Sequence, residues 1–249
     1  HTDLKIDDVF FYFTTCGWMM WNWLVSGLAS EATLVLYDGS PFFPDANAMV
    51  DMIDEETISI FGTSAKFITS LEKAGIKPRE SHKLEKLKSI LSTGSPLSPE
   101  SFEYVYRDFK SNVCLSSISG GTDIISCFAL GNPSLPVWPG EIQCSGLGMA
   151  VEIWDDQESP IKQRKGELVC CKSFPSKPIK FWNDPEQSKF HSAYFEKFNN
   201  IWNHGDYGEI TEHNGIIIHG RSDAVLNPGG VRIGTAEVYR QVEKIDEVI

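Results

Sequence analysis

Short β-type runs that end in small-residue turns and lead into helical patterns constrain this chain more than any other feature. Thr33-Leu34-Val35-Leu36-Tyr37 reads as a buried strand ending in Asp38-Gly39-Ser40-Pro41, and Ile58-Ser59-Ile60-Phe61 ends in Gly62-Thr63-Ser64. Ser89-Ile90-Leu91-Ser92 leads to Gly94-Ser95-Pro96, and the run from Val113 to Ile118 leads to Gly120-Gly121-Thr122-Asp123. A short aromatic run, Val9 to Phe13, precedes them. Helical patterns lie between these runs: Trp18 to Ser30, a segment capped by Asp45 and running towards Glu55, and Ala65 to Lys73. Ser98 at a cap position and Pro99 at the first helical position open another. Strands alternating with helices need crossover connections, which predicts an α/β fold with a mostly parallel sheet and flanking helices.

The pattern changes near Pro139. From Gly140 to Gly220 the runs are short and β-type: Ala150 to Trp154, Glu167 to Cys171 and Gly215 to His219. Asp155-Asp156 and Asn214-Gly215 are turn signals between them. This predicts a smaller antiparallel β region, with a barrel as one form. Asn227-Pro228-Gly229-Gly230 then marks a loop before Glu237. The expected organisation is 1–139 as the α/β part, 140–220 as a β-rich subdomain and 221–249 as a third segment.

Composition excludes several functions. Asp plus Glu is 34 against 22 for Lys plus Arg, a net charge of −12, so a nucleic-acid polymer or a polybasic membrane contact is a poor fit. No apolar run reaches the ~18 residues of a membrane span. The six cysteines contain no C-x-x-C pair, so spacing gives no support to a zinc site, and reduced, buried thiols in a cytoplasmic setting are expected. The chain begins at His1 and stops at Ile249 within an amphipathic pattern, so a piece of a longer protein is expected. The oligomeric state is left open.

Several short motifs carry candidate chemistry, each beside a plainer reading. In Gly120-Gly121-Thr122-Asp123, the glycines allow backbone to approach an anion, the Thr122 hydroxyl suits a phosphate, and the Asp123 carboxylate suits a phosphate-bound Mg²⁺. An ordinary turn with an Asp cap is the alternative. Gly94-Ser95-Pro96 offers a small, rigid loop on which a flat ring can lie, or simply a helix entry. Asp206, placed at a strand end, can accept two hydrogen bonds from a vicinal diol or merely face water, and His204 beside it reads as structural. Arg221 and Arg232 flank a Gly-rich loop with Gly229 and Gly230, an arrangement suited to phosphate or hydroxyl recognition or to a solvated face. Trp18 and Met20 belong to an aromatic stripe that suits either an acyl pocket or a core.

The order of these motifs resembles the acyl-adenylate-forming enzymes, a superfamily of acyl-CoA synthetases, adenylation domains and luciferases. Gly94-Ser95-Pro96, Gly121-Thr122-Asp123, Gly205-Asp206 and Gly220-Arg221-Ser222-Asp223 with Gly230 and Arg232 carry the likeness, and residues 220 to 237 are its most specific piece. Phe181-Trp182-Asn183-Asp184, Ala193-Tyr194-Phe195 and Ile201-Trp202-Asn203-His204-Gly205-Asp206 look most like the acetoacetate-activating branch. The resemblance implies part of the large domain of an adenylating enzyme, with 221–249 as hinge and start of a small C-terminal domain. It implies ATP or AMP, Mg²⁺ and CoA as ligands, and a small carboxylic acid as substrate.

By the same resemblance, Gly94, Ser95 and Pro96 would flank the adenine. Gly121 and Thr122 would lie at the nucleotide phosphate, Asp123 would assist Mg²⁺ where the family usually has Glu, and Asp206 with Arg221 would hold the ribose. Asp223 would be the hinge, Arg232 would reach a phosphate, Gly230 would border the CoA thiol path, and Trp18 with Met20 would border the acyl group. The phosphate loop and C-terminal lysine of the family have no counterpart in these residues, so the 249 residues alone are expected to be inactive. A ligase for another short acid, a carrier-protein adenylation domain and a non-catalytic nucleotide-binding module remain alternatives.

Overall fold

The computed structural model describes residues 1–226, 233–242 and 245. Contacts group them into two compact units: His1–Ile118 with Gly131–Gly140, and Ser119–Leu130 with the described residues from Glu141 on.

The first unit follows the strand–helix alternation. In chain order it runs β1 (Val9–Tyr12), α1 (Met19–Ser26), β2 (Thr33–Val35), α2 (Ala48–Glu55), β3 (Ile60–Ser64), α3 (Ala65–Lys73), α4 (Pro78–Ser81), β4 (Ser89–Thr93), α5 (Pro99–Tyr104) and β5 (Cys114–Ser117). The five strands form one sheet in the order β2-β1-β3-β4-β5, parallel throughout. Ile60, Phe61, Ile90, Leu91 and Leu115 are all buried. Neighbouring residues of one strand point to opposite faces, so both faces of the central strands are covered. Phe11 and Phe61 stack across β1 and β3 at 5.5 Å, in a core shared with Met49, Ile53, Phe67 and Phe102.

Local signals set two helix starts here. Ser64 ends β3 and its Oγ accepts from the Phe67 amide at 3.2 Å, while the Ser98 Oγ accepts from the Ser101 amide at 3.2 Å with Pro99 at the first turn. Such caps contribute about 1 kcal/mol each. The buried Asp8 joins the amino ends of the strands: its carboxylate accepts from the Lys5 amide (2.8 Å), the Ser59 hydroxyl (2.8 Å) and the Lys88 ammonium (2.7 Å).

Two local expectations need correction. The run Thr33–Tyr37 is not a buried strand. β2 covers only Thr33–Val35 at the sheet edge with β1 as its one neighbour, and Leu36 is 63% exposed. Asp45 does not cap α2 directly. Its carboxylate accepts from the Asn47 amide at 2.7 Å in the turn before the helix.

The second unit is antiparallel. Its elements are β6 (Ser119–Gly121), β7 (Ser126–Leu130), β8 (Cys144–Ser145), β9 (Val151–Trp154), β10 (Gly166–Cys170), α6 (Ser188–Phe195), β11 (Trp202–Ile210), β12 (Ile216–Arg221) and α7 (Thr235–Val242). They build a three-stranded sheet, β6-β7-β8, and a four-stranded sheet, β12-β11-β10-β9. Among the described residues the four-stranded sheet does not close into a barrel, and β9 and β12 are its outer strands. The unit's first hairpin lies ahead of Pro139 in sequence. Ile124, Phe128, Ile153, Leu168, Trp202 and Ile216 form its core. No disulfide joins the six cysteines, but only Cys127 and Cys170 are buried and Cys16 is exposed, so the expectation of buried thiols holds for two of them. Among the described residues no helix is long and apolar enough to cross a membrane.

Candidate nucleotide site

In the first unit, the candidate residues sit at the carboxyl edge of the parallel sheet, where α/β folds place ligands. Gly94, Ser95 and Pro96 follow β4 directly and are exposed. Gly94 has φ +92°, a backbone that other residues rarely adopt, and a Cβ there would come no closer than 4.0 Å to Ser64 and the Trp18 ring. Trp18 therefore reaches the Gly94 loop from the segment after β1, half-buried and edge-on to Tyr12 at 6.4 Å. Met20, two residues on, is 1% exposed and belongs to the packed interior.

In the second unit, the structure brings Gly121, Thr122, Asp123, Asp206, Arg221 and Asp223 together. The Gly-Gly-Thr-Asp motif is not a loop from a parallel strand into a helix, as its position after Val113–Ile118 suggests. Gly120 and Gly121 lie in β6, and Thr122 and Asp123 form the exposed turn into β7. The fully buried Ile124 anchors that turn. A Cβ on Gly121 would stand 2.2 Å from Asp123 Oδ1 and 2.6 Å from His204 Cε1. Glycine at 121 thus makes room for the Asp123 carboxylate to fold back over the strand.

The other oxygen of Asp123 is held from a distant element. The Tyr194 hydroxyl, near the end of α6, donates to Asp123 Oδ2 at 2.5 Å. Burial first, and then the neighbouring carboxylate, push the Tyr194 phenol well above its ordinary pKa, so it stays protonated and donates. Its ring lies face to face on Trp202, 3.7 Å between centroids and 12° between planes.

Asp206 is not at a strand end. It lies within β11 at 7% exposure, directly opposite Arg221 of β12. Arg221 Nη1 donates to Asp206 Oδ1 at 3.2 Å and to the His204 carbonyl at 2.9 Å, and the Ser119 hydroxyl donates to Oδ2 at 3.4 Å. The carboxylate is therefore oriented by a cation on one oxygen and a hydroxyl on the other, and it retains lone pairs for further donors. Gly205, at φ +79°, lets the guanidinium pass, since a Cβ there would meet Nη2 at 2.7 Å. His204 is buried edge-on against Phe128 at 4.7 Å.

Asp223 sits in a 3₁₀ turn, Ser222–Ala224, with its side chain 83% exposed. Ser222 Oγ donates to the buried Glu167 at 2.5 Å, and Lys197 pairs with the same carboxylate. Gly230 and Arg232 lie outside the described residues. Sequence reasoning missed Glu167 and Ser119, and gave Tyr194 no chemical role. Nothing local marks Tyr194, which meets Asp123 across 71 positions of sequence.

A cavity of ≈ 1180 Å³ also opens in the second unit, walled by Cys171, Lys172, Phe174, Phe190, Phe195 and Trp202 among others. Neither Asp123 nor Asp206 lines it, so the carboxylate constellation and this cavity are separate features.

The profile of the family described as AMP-binding enzyme matches residues 1–173. An acetoacetyl-coenzyme A synthetase of Rhizobium meliloti (strain 1021) is 60% identical over 248 residues, which span 100% of this chain and 38% of that protein. An acetoacetyl-CoA synthetase of Mus musculus is 54% identical over 249 residues, 100% of this chain and 37% of the relative. Among solved structures, the acetoacetyl-CoA synthetase from Streptomyces lividans matches with a TM-score of 0.92 at 43% identity, covering 98% of this chain and 38% of that one. The chain thus spans well under half the length of the relatives it matches, in sequence and in structure alike. It belongs to the AMP-binding enzyme family.

Proposed function

We propose that this chain is part of an AMP-forming acid–CoA ligase whose acid is acetoacetate. The observation that carries the reading is the 60% identity over the whole chain to an acetoacetyl-coenzyme A synthetase, with the carboxylate constellation of the second unit in support. In the reaction, a carboxylate oxygen of acetoacetate attacks the α-phosphorus of ATP in line, and pyrophosphate leaves. The CoA thiol, losing its proton, then attacks the acyl carbon of the mixed anhydride, and AMP leaves. Neither step needs a protein nucleophile, so the protein's contribution is positioning and charge.

The residues divide that work. Asp206, its charge oriented by Arg221 and Ser119, accepts from the ribose hydroxyls. The Thr122 hydroxyl, exposed in the turn, donates to a phosphate oxygen. Gly94, Ser95 and Pro96 give the adenine a flat backbone surface, and Trp18 borders the acyl group. Met20 supports that border from within the core, and Asp223 is the hinge. Roles for Arg232 at a phosphate and Gly230 on the thiol path belong to residues outside the described set.

Mg²⁺ fits the residues present. Asp123 is an exposed carboxylate with one oxygen uncommitted, and Mg²⁺ is usually held by one or two carboxylates together with substrate phosphates. Among the described residues no group of three or more His, Cys, Asp or Glu could form an all-protein cage. When bound, the ion neutralises charge on the phosphates. A cytoplasmic setting is part of the same reading, consistent with six cysteines that form no disulfide.

The test is ATP–pyrophosphate exchange and CoA-thioester formation by the full-length polypeptide, with acetoacetate, acetate and propionate in competition. Acetoacetate is expected to dominate in both steps. Exchange that acetate or propionate supports better would reassign the acid, and nucleotide binding without any acid-dependent exchange would leave a non-catalytic module.

A further inference from the structure

An exposed carboxylate on a turn ordinarily swings freely, because water solvates each rotamer about equally. Asp123 does not have that freedom. One oxygen, Oδ2, takes the Tyr194 hydroxyl at 2.5 Å, and the other lies where a Cβ of residue 121 would otherwise be. Tyr194 is itself fixed: it stacks on Trp202 at 3.7 Å and meets Phe181 and Phe190 edge-on at 5.7 and 5.3 Å. Trp202 is buried and takes part in the core of the antiparallel unit. The rigid part of the unit is thereby connected to a single oxygen of a surface carboxylate. Oδ1 accepts no hydrogen bond from the described residues, so the free lone pairs all lie on one side of the group.

We propose that Tyr194 is a positioning residue for the Mg²⁺–nucleotide. Its hydroxyl fixes one oxygen of Asp123 so that the other is presented, already oriented, to the cation. The inference rests on the ligase reading for the nature of the ligand. It goes beyond that reading by giving a side chain on α6, 71 positions away in sequence, control over how strongly the turn binds a divalent ion. Hydrogen-bond partners of metal-ligating carboxylates commonly change metal affinity by about 10- to 100-fold when removed.

The experiment uses the full-length polypeptide and two readouts: Mn²⁺ binding in the presence of ATP by electron paramagnetic resonance, and the Mg²⁺ concentration that half-activates acetoacetate-dependent exchange. Tyr194→Phe keeps the ring and removes only the donor. It should weaken Mn²⁺ binding by roughly 10-fold and raise the half-activating Mg²⁺ in proportion, while kcat at saturating Mg²⁺ falls less than the affinity does. In an Asp123→Asn background the same change should have no further effect on Mn²⁺ affinity, because the two side chains act as one unit.

Mn²⁺ affinity in Tyr194→Phe within twofold of the parent would overturn the proposal. So would an equal loss in the Asp123→Asn background. Failure of the ligase reading looks different: the parent would bind Mn²⁺ and ATP normally yet show no acetoacetate-dependent exchange.

Discussion

The two units bury polarity in different ways. Apart from Asp8, the buried polar side chains of the parallel unit are hydroxyls: Ser59, Thr63, Ser89, Ser92, Ser101, Ser116 and Ser117. The antiparallel unit buries Glu167, Asp184, Asp206, His204 and His219. A sheet covered on both faces leaves room for small groups only, and its ligand-facing elements are the backbone and loops at the strand ends. An antiparallel pair sets side chains directly opposite each other, so a buried carboxylate on β11 can meet an exposed guanidinium on β12. The comparison teaches that the first unit offers backbone shape and small hydroxyls, whereas the second offers charge.

The largest expected effect tests that division. Asp206→Asn preserves shape and removes charge, so in the full-length polypeptide it should raise the KM for ATP by about 10- to 100-fold, the worth of hydrogen bonds to a charged group. Ser95→Ala in the exposed loop after β4 removes a polar group but no backbone surface, and should change the same KM by less than about threefold, well below that range. Equal effects at the two positions would erase the distinction between shape and charge.

The same contrast explains what the sequence makes legible. In the first unit the decisive signals are local: the boundaries of α3, the Ser98–Pro99 start of α5 and the runs of β1, β4 and β5 can be read from neighbouring residues, whereas β2 is shorter than its run and β3 extends through Gly62, Thr63 and Ser64. The second unit hides its longest strand. The inward positions of β11 carry Trp202, His204 and Asp206, so burial there follows cross-strand and aromatic partners, not an apolar period. α6 is equally obscure, because Gln187 before it is left-handed and makes no side-chain cap. Asp184 instead accepts from the Phe190 amide at 2.9 Å and the Lys189 amide at 3.3 Å, a longer reach than the usual cap spacing. Asp123, Asp206 and Arg221 could be singled out because their types and order match the motifs of the family that the sequence resembles. Tyr194 and Glu167 could not, since their roles exist only once strands and helix have packed.

A smaller effect distinguishes two glycines. Gly94 is needed for its backbone angle in open space, whereas Gly121 has no such angle and is needed because a Cβ would collide with Asp123 and His204. At position 94 the cost of Ala is backbone strain, about 1–2 kcal/mol, and Asn, which tolerates left-handed backbone, should cost less than Ala. At position 121 the cost is overpacking, about 1–3 kcal/mol for a methyl group, and the larger Asn should cost more. Melting midpoints of the four variants decide the matter through the order of Ala and Asn at each site. The same order at both positions would mean that the two glycines serve one purpose.

The smallest effect is in acid, and it should separate the units by pH. His219 in β12 is buried, with Nδ1 unpartnered and Nε2 3.3 Å from Glu209 Oε2. Burial first, and then the Lys165 charge, hold its pKa below the ordinary 6.5, against the opposing pull of Glu209 and Glu237. The unfolded chain then binds the proton more readily than the folded one, so this contribution to stability is intact above about pH 6.5 and is lost as pH falls below it. Asp8 in the first unit follows the carboxylate case. Burial tends to raise its pKa, but the hydrogen bonds from Lys88, the Lys5 amide and Ser59 outweigh that and hold it below 3.8. Its contribution is therefore intact above about pH 3.8 and is lost only as pH falls further. Hydrogen exchange in the full-length polypeptide, corrected for intrinsic rates and compared between pH 7.5 and 5.5, should show β11 and β12 losing protection while β1, β3 and β4 keep theirs. His219→Gln should remove that difference. Loss of protection in both units together over this range would show that acid acts on the assembly as a whole, and that the buried imidazole does not set where it softens first.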